Sequence, residues 1–130
     1  AWLMQGSPAV QLLMRRGLRN IEAQALPDAL EDFDAVLALA PDLAEGWNKR
    51  ATVYFLMEQY DNSAKDVLET LSREPRHFGA LAGLSMVRER QGDLQGAMRA
   101  LESALAIYPK MQGGEERLRR LRRRAVGEDL

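Results

Sequence analysis

The chain has 130 residues, 46% of them hydrophobic and 28% charged, with a formal net charge of −1. That is enough apolar material for one core and too little net charge for a disordered polyelectrolyte. The absence of cysteine excludes disulfide and thiol chemistry, and no apolar run approaches the roughly 20 residues of a membrane span.

Charge is unevenly placed. Residues 110–130 hold seven Lys/Arg against four Asp/Glu, and the rest of the chain eleven against fifteen. The start, Ala1-Trp2-Leu3-Met4, has neither an initiator Met nor a signal-peptide apolar region. It reads as a trimmed piece, soluble, with the compartment, cytoplasmic or periplasmic, left open.

Taken in order, residues 1–6 form a short apolar stub, the torn end of a preceding element. Ser7-Pro8 supplies a hydroxyl cap and a first-turn proline, so a helix starts there and runs to about Ala23. It carries two stripes, one of Val10, Leu13, Gly17 and Asn20, the other of Met14, Leu18 and Ile21. Two apolar stripes imply two buried or partner-facing sides. Leu26-Pro27-Asp28 starts the next helix, with Ala29, Leu30, Phe33, Val36 and Leu37 at spacings of three and four. Pro41-Asp42 stops it. A third helix covers about 43–57 with Trp47, Ala51 and Tyr54 on one face. After a turn at Tyr60-Asp61, a fourth carries Ala64, Val67, Leu68 and Leu71 and ends before Pro75. A fifth runs from His77 or Phe78 to about Gln91, stopped by Gly92-Asp93. A sixth holds Ala97, Met98, Leu101, Ala104 and Leu105, up to Pro109. Gly113-Gly114 breaks the chain before a last helix over about 115–126, with one thin stripe of Met111, Leu118, Leu121 and Ala125. No segment alternates with period two. The expectation is an all-α protein of about seven helices.

Pro41, Pro75 and Pro109 stand 34 residues apart, and self-similarity at such a period marks a solenoid. Triplets offset by 34 line up slot by slot: Leu13, Trp47 and Leu81; Gly17, Ala51 and Ser85; Asn20, Tyr54 and Arg88; Phe33, Val67 and Leu101; Leu37, Leu71 and Leu105. Small residues fall where two helices of a pair cross closely, and large ones fill the gaps between pairs. Gly79 and Gly83 on the fifth helix fit a close approach of a neighbouring helix or, as the alternative, the floor of a pocket, since two helical glycines otherwise cost about 1 kcal/mol each.

This lattice resembles the tetratricopeptide repeat family. Trp47, Ala51, Tyr54, Ser63 and Pro75 occupy the slots of that motif, and Gly92-Asp93-Leu94 before Ala97 is similar to its turn. Residues 75–81 look like bacterial members. Arg16 and Arg50 depart from the pattern where the family often has Leu, as do Asn20 and Arg88 in an aromatic slot, departures that weaken local packing. The resemblance implies an α-α superhelix of antiparallel helix pairs. Its parts are a stub at 1–9, repeats at 10–43, 44–77 and 78–111, and a basic capping helix and tail at 112–130. It also implies that the first helix of each pair lines a concave groove for a peptide or a partner's helix. The groove stripe would be Met14, Leu18 and Ile21, then Asn48, Thr52 and Phe55, then Ala82, Met86 and Glu89. Some family members hold acidic C-terminal tails through a Lys, Arg and Asn clamp. The matching slots here are Met14, Leu18, Lys49, Gly79 and Gly83, so the clamp is missing.

The expected function is therefore a non-catalytic scaffold for protein–protein interaction that binds an apolar segment, with Asn48 bonding a partner's backbone. Two alternatives are self-assembly into a homo-oligomer through the apolar stub or the cap helix, and binding of an anionic partner through Arg117, Arg120 and Arg124. Nucleic acid is disfavoured because the body is acidic and no aromatics interleave with the arginines. No cofactor or metal is expected: His77 is the single histidine and reads as a loop or cap residue, and no cluster has metal-ligand spacing. Acidic pairs such as Glu31-Asp32 read as solvated charge.

Overall fold

The structure, a computed structural model, describes residues 6–127. The stub at Trp2-Leu3-Met4, proposed above as a self-assembly contact, lies outside the described residues. Within them are seven helices and no strand: α1 (Pro8–Glu22), α2 (Leu26–Leu39), α3 (Ala44–Leu56), α4 (Tyr60–Arg73), α5 (Phe78–Arg90), α6 (Leu94–Ile107) and α7 (Gly114–Ala125). They pack as the pairs α1–α2, α3–α4 and α5–α6, followed by α7. The chain divides into two compact units between Pro75 and Arg76. The first unit contains α1 to α4 and the second α5 to α7.

Local chemistry sets the helix ends. Ser7 Oγ accepts from the Val10 N–H at 3.2 Å, with Pro8 at the first helical position. His77 Nδ1 accepts from the Ala80 N–H at 3.0 Å, and Asp93 Oδ1 from the Gly96 N–H at 2.8 Å. The single histidine is thus the cap of α5. Each pair is joined by a left-handed residue at the same register position: Gln24 at φ 60°, Glu58 at φ 61° and Gly92 at φ 82°. The next N–H returns to the helix five residues back, from Ala25 to Asn20, Gln59 to Tyr54 and Asp93 to Arg88, each at 2.8 Å. This closure satisfies helix carbonyls that would otherwise be orphaned. Of these three joints, only Gly92 adopts the left-handed region without a Cβ penalty. Between pairs, Ala40, Glu74 and Tyr108 are extended at φ −137°, −134° and −134°, because the following proline crowds a helical conformation.

In the first unit the core is built from Val10, Phe33, Val36 and Val53, all at most 1% exposed. Its tightest point is the crossing of α1 and α2. A Cβ on Gly17 would lie 2.5 Å from Phe33 Cζ, and the ring has no room to yield because Phe33 is fully buried. In the second unit Leu101 and Leu105 of α6 bury Leu118 and Leu121 of α7. Gly83 departs from the close approach expected of it: a Cβ there would meet no heavy atom within 4 Å.

These contacts separate glycines that look alike in sequence. Gly17→Ala is expected to destabilise by about 1–3 kcal/mol through overpacking, whereas Gly83→Ala should stabilise by about 1 kcal/mol through helix propensity. Glu58→Gly should also stabilise, by up to about 1 kcal/mol, by relieving a left-handed non-glycine residue. Urea unfolding midpoints at constant m-value measure all three.

Candidate functional site

In the first unit the stripe expected to face a partner comes from α1 and α3. Met14 and Ile21 are half-buried and pack against the core cluster, while Leu18 on the same stripe is 37% exposed. On α3, Asn48 and Phe55 are half-buried and Thr52 is exposed. Thr52 Oγ1 donates back to the Asn48 carbonyl at 3.2 Å, and Phe55 meets Tyr60 edge to face at 5.4 Å. Phe55 is thereby tied to the start of α4. In the second unit, α5 presents half-buried Ala82, Met86 at 40% exposed, and half-buried Glu89.

Glu89 is engaged. Oε1 accepts from Arg117 at 2.9 Å and Oε2 from Arg124, so two guanidiniums of α7 converge on one carboxylate of α5. Arg119 pairs with Glu116 at 2.8 Å, and Arg122 reaches Glu102 at 3.5 Å. Arg119 and the other nearby arginines hold the Glu116 carboxyl below the usual range. Of the patch named from sequence, Arg117 and Arg124 are thus joined to Glu89, and Arg120 stands exposed. The arginines cap the second unit by closing on its own carboxylates.

A polar arrangement inside the first unit departs most from the sequence reading. Asp32, taken as solvated charge, is 3% exposed. Its Oδ1 accepts from Arg16 Nε at 2.8 Å and its Oδ2 from Asn20 Nδ2 at 2.8 Å. One register step on, Arg50 forks onto Asp66, Nε to Oδ2 at 2.8 Å and Nη2 to Oδ1 at 3.0 Å. Arg50 also donates to Asp34 of the preceding pair at 3.0 Å. Its guanidinium lies 5.1 Å from the Trp47 ring centre and 5.7 Å from that of Tyr54, while Arg73 lies 4.9 Å from Trp47. Trp47 is itself held by donation from Nε1 to the Pro41 carbonyl at 2.8 Å. Arg16, Arg50 and Asn20 are therefore not packing defects; each serves a buried carboxylate. The signal was in the sequence, since Arg16/Asp32 and Arg50/Asp66 share one spacing and are offset by one repeat.

The Asp66 hydrogen bond raises the Arg50 pKa further above its ordinary value. Burial pushes the Asp66 carboxyl up against the opposing pull of Arg50. The charge on Asp66 thus depends on its partner. In the third repeat the equivalent positions are Leu84 and Ala100, an apolar solution to the same crossing.

Stacked helix pairs with small residues at each crossing and proline-marked turns at a fixed period define a helical-repeat protein. The tetratricopeptide repeat family model matches residues 48–111. A TPR repeat-containing protein of Rhizobium etli is 39% identical over 126 residues, 97% of this chain, and the chain spans 62% of that relative's length. Among solved structures, the first TPR of Spaghetti (RPAP3), bound to the HSP90 peptide SRMEEVD, aligns with a TM-score of 0.89 at 16% identity, covering 93% of this chain and 96% of that one. The Sgt2 TPR domain from Aspergillus fumigatus aligns at 0.88 with 20% identity, covering 97% and 85%. Over residues 48–111 the repeats of this chain are tetratricopeptide repeats.

The two solutions at the crossing can be exchanged. Arg50→Leu alone strands a buried carboxylate and should cost about 3 kcal/mol or more. The double variant Arg50→Leu/Asp66→Ala, which copies Leu84 and Ala100, should recover most of that loss. A double-mutant cycle by urea denaturation reads the coupling; additive losses would show that the pair is not acting as a unit.

Proposed function

We propose that the chain is a non-catalytic protein-interaction scaffold whose first helices offer an apolar stripe to a peptide or helix of a partner protein. One observation carries the reading: Leu18 in the first unit and Met86 in the second hold one slot of the 34-residue lattice two repeats apart, and each is a large apolar side chain exposed on its own helix, at 37% and 40%. Asn48, half-buried in the lattice slot of Met14 and Ala82, would bond a partner's backbone, and Thr52 and Ala82 would leave room for its chain. Met86 is unbranched and adapts to irregular surfaces. Phe55, Met14 and Ile21 would contribute area while holding the helices together.

The relatives that carry peptides sharpen the choice of ligand. The RPAP3 domains were solved with HSP90 peptide SRMEEVD and HSP70 peptide SGPTIEEVD, both acidic at the C-terminus. In this chain the slots that the family resemblance gives to an acidic-tail clamp, Met14, Leu18, Lys49, Gly79 and Gly83, hold one cation, and Lys49 Nζ lies 4.0 Å from the Glu45 carboxylate. Such a surface favours an apolar segment over an acidic tail. The single histidine is a helix cap, and among the described residues no three His, Asp or Glu side chains gather as a metal site. No helix among the described residues is long and apolar enough to cross a membrane.

Panning the folded protein against a displayed peptide library tests this directly. The expected result is an apolar or amphipathic consensus, with SRMEEVD binding at least tenfold more weakly than the selected peptides. Leu18→Glu and Met86→Glu should each lower affinity for those peptides about tenfold or more. Both sites are exposed, so unfolding midpoints should move by no more than about 0.5 kcal/mol. An acidic-tail consensus, or Glu variants that bind as the parent does, would overturn the proposal.

A further inference from the structure

In the second unit the partner stripe runs up against charge that the neighbouring side chains do not balance. Met86 and Glu89 stand three residues apart on α5, so their side chains are neighbours on one helix surface. Glu89 Oε1 accepts from Arg117 at 2.9 Å and Oε2 from Arg124, which ties that surface to α7. On α7, Arg120 comes three residues after Arg117 and four before Arg124, and so shares their flank of the helix. The exposed Met86 side chain is therefore followed, across one ion-paired carboxylate, by an exposed guanidinium.

Arg117, Arg120 and Arg124 share a flank that meets one carboxylate, so cations outnumber acids there. Both oxygens of Glu89 are occupied. Glu116, one turn before Arg120, is bonded to Arg119 at 2.8 Å. Arg120 has no acceptor among the described residues. The Arg117 and Glu89 side chains are only 18% and 23% exposed, and partly buried charge is screened less by salt than free surface charge. The anion that fits is a single carboxylate. A phosphate backbone is held by many cations at once, whereas Arg119 and Arg122 are engaged by Glu116 and Glu102, and Glu115 and Glu116 stand exposed in the first turn of α7.

We propose that Arg120 sets specificity at this end of the stripe by taking the carboxylate of an Asp or Glu side chain in the bound segment, next to the apolar residue that covers Met86. This assignment rests on the reading of the stripe as a partner surface. Arg117 and Arg124 then act through Glu89: they hold its charge, so that no acid of this chain competes for Arg120. Met86 supplies the apolar contact and Arg120 the choice of charge beside it.

The probe is an array of short amphipathic leucine–alanine peptides in which each position in turn is Glu, Gln or Lys. At one position the parent protein should bind the Glu form about fivefold more tightly than the Lys form, the range of an exposed charge pair. Arg120→Gln should bring that ratio close to one, and Arg120→Glu should invert it. The preference should fade at about 1 M salt, where screening acts within about 3 Å. Leu18→Glu, which tests the stripe itself, should weaken all three forms alike, and circular dichroism confirms that each variant is folded. A Glu-to-Lys ratio that Arg120→Glu leaves unchanged, with binding still weakened by Leu18→Glu, would overturn this assignment and leave the stripe standing. Binding that Leu18→Glu leaves unaltered would overturn the stripe and the assignment with it. A single-stranded oligonucleotide that binds the parent but not Arg120→Gln, with no Glu preference among the peptides, would give the guanidinium to nucleic acid and overturn the assignment as well.

Discussion

The close crossing of each helix pair is the constraint on which the rest depends. At its centre stand Gly17, Ala51 and Ser85, all buried, and the register sets Phe33, Val67 and Leu101 against them, all at most 2% exposed. Volume trades within each couple: the largest partner, Phe33, faces the residue with no side chain. A close-packed interior has no spare space, so one member cannot grow unless the other shrinks. The crossing sets the distance between helices, and thereby which flank of each first helix is turned away from its partner. The third couple is the least complete, because the buried Ser85 hydroxyl has no hydrogen-bond partner among the described residues. In the second pair the Ala51 carbonyl accepts from Ser63 Oγ at 2.7 Å.

Beside the crossing, the first unit uses ion pairs where the second uses Leu84 and Ala100. A buried carboxylate is costly unless its lone pairs are occupied, and both carboxylates are well served: Asp32 by Arg16 and Asn20, Asp66 by the planar fork of Arg50. Arg50 does more than neutralise. Its bond to Asp34 and its stacking on Trp47 and Tyr54 bind α3 to the pair before it as well as to α4. An apolar crossing would fill the same space without giving this direction to the neighbouring pair.

Helix number, helix ends and the crossing triplets were legible because each depends on residues close in sequence or on one fixed period. Proline before a helix, glycine after one and a small residue every 34 positions act locally. The ion pairs were not read, because Asp32 and Asp66 lie on helix flanks that look polar in isolation. Their burial follows only when a second helix supplies Arg16 or Arg50, a pairing 16 residues apart. Gly83 was misread for the opposite reason: the lattice says which positions are equivalent, but not how closely the neighbour at each one approaches. The carboxylate of Glu89 illustrates both. It shares its slot with Ile21 and Phe55, yet α7 turns that slot into an ion-pair centre.

That change of character bears on how the stripe can be read. At one slot the residues run Leu18, Thr52, Met86 and, one repeat later on α7, Arg120; at another they run Ile21, Phe55 and Glu89. Along these two slots of the second unit the apolar residues therefore end at Met86. Beyond it stand a carboxylate already bonded to Arg117 and Arg124 and an exposed guanidinium at Arg120. Glu89 has both oxygens occupied and offers little to a partner's lysine. Arg120 remains exposed in the slot one repeat after Met86. Apolar burial can supply affinity along Met86, whereas exposed charge contributes more to orientation and association rate than to affinity. Under the proposed reading of the stripe, this end would take a partner segment that is apolar along its length and acidic only where it passes α7.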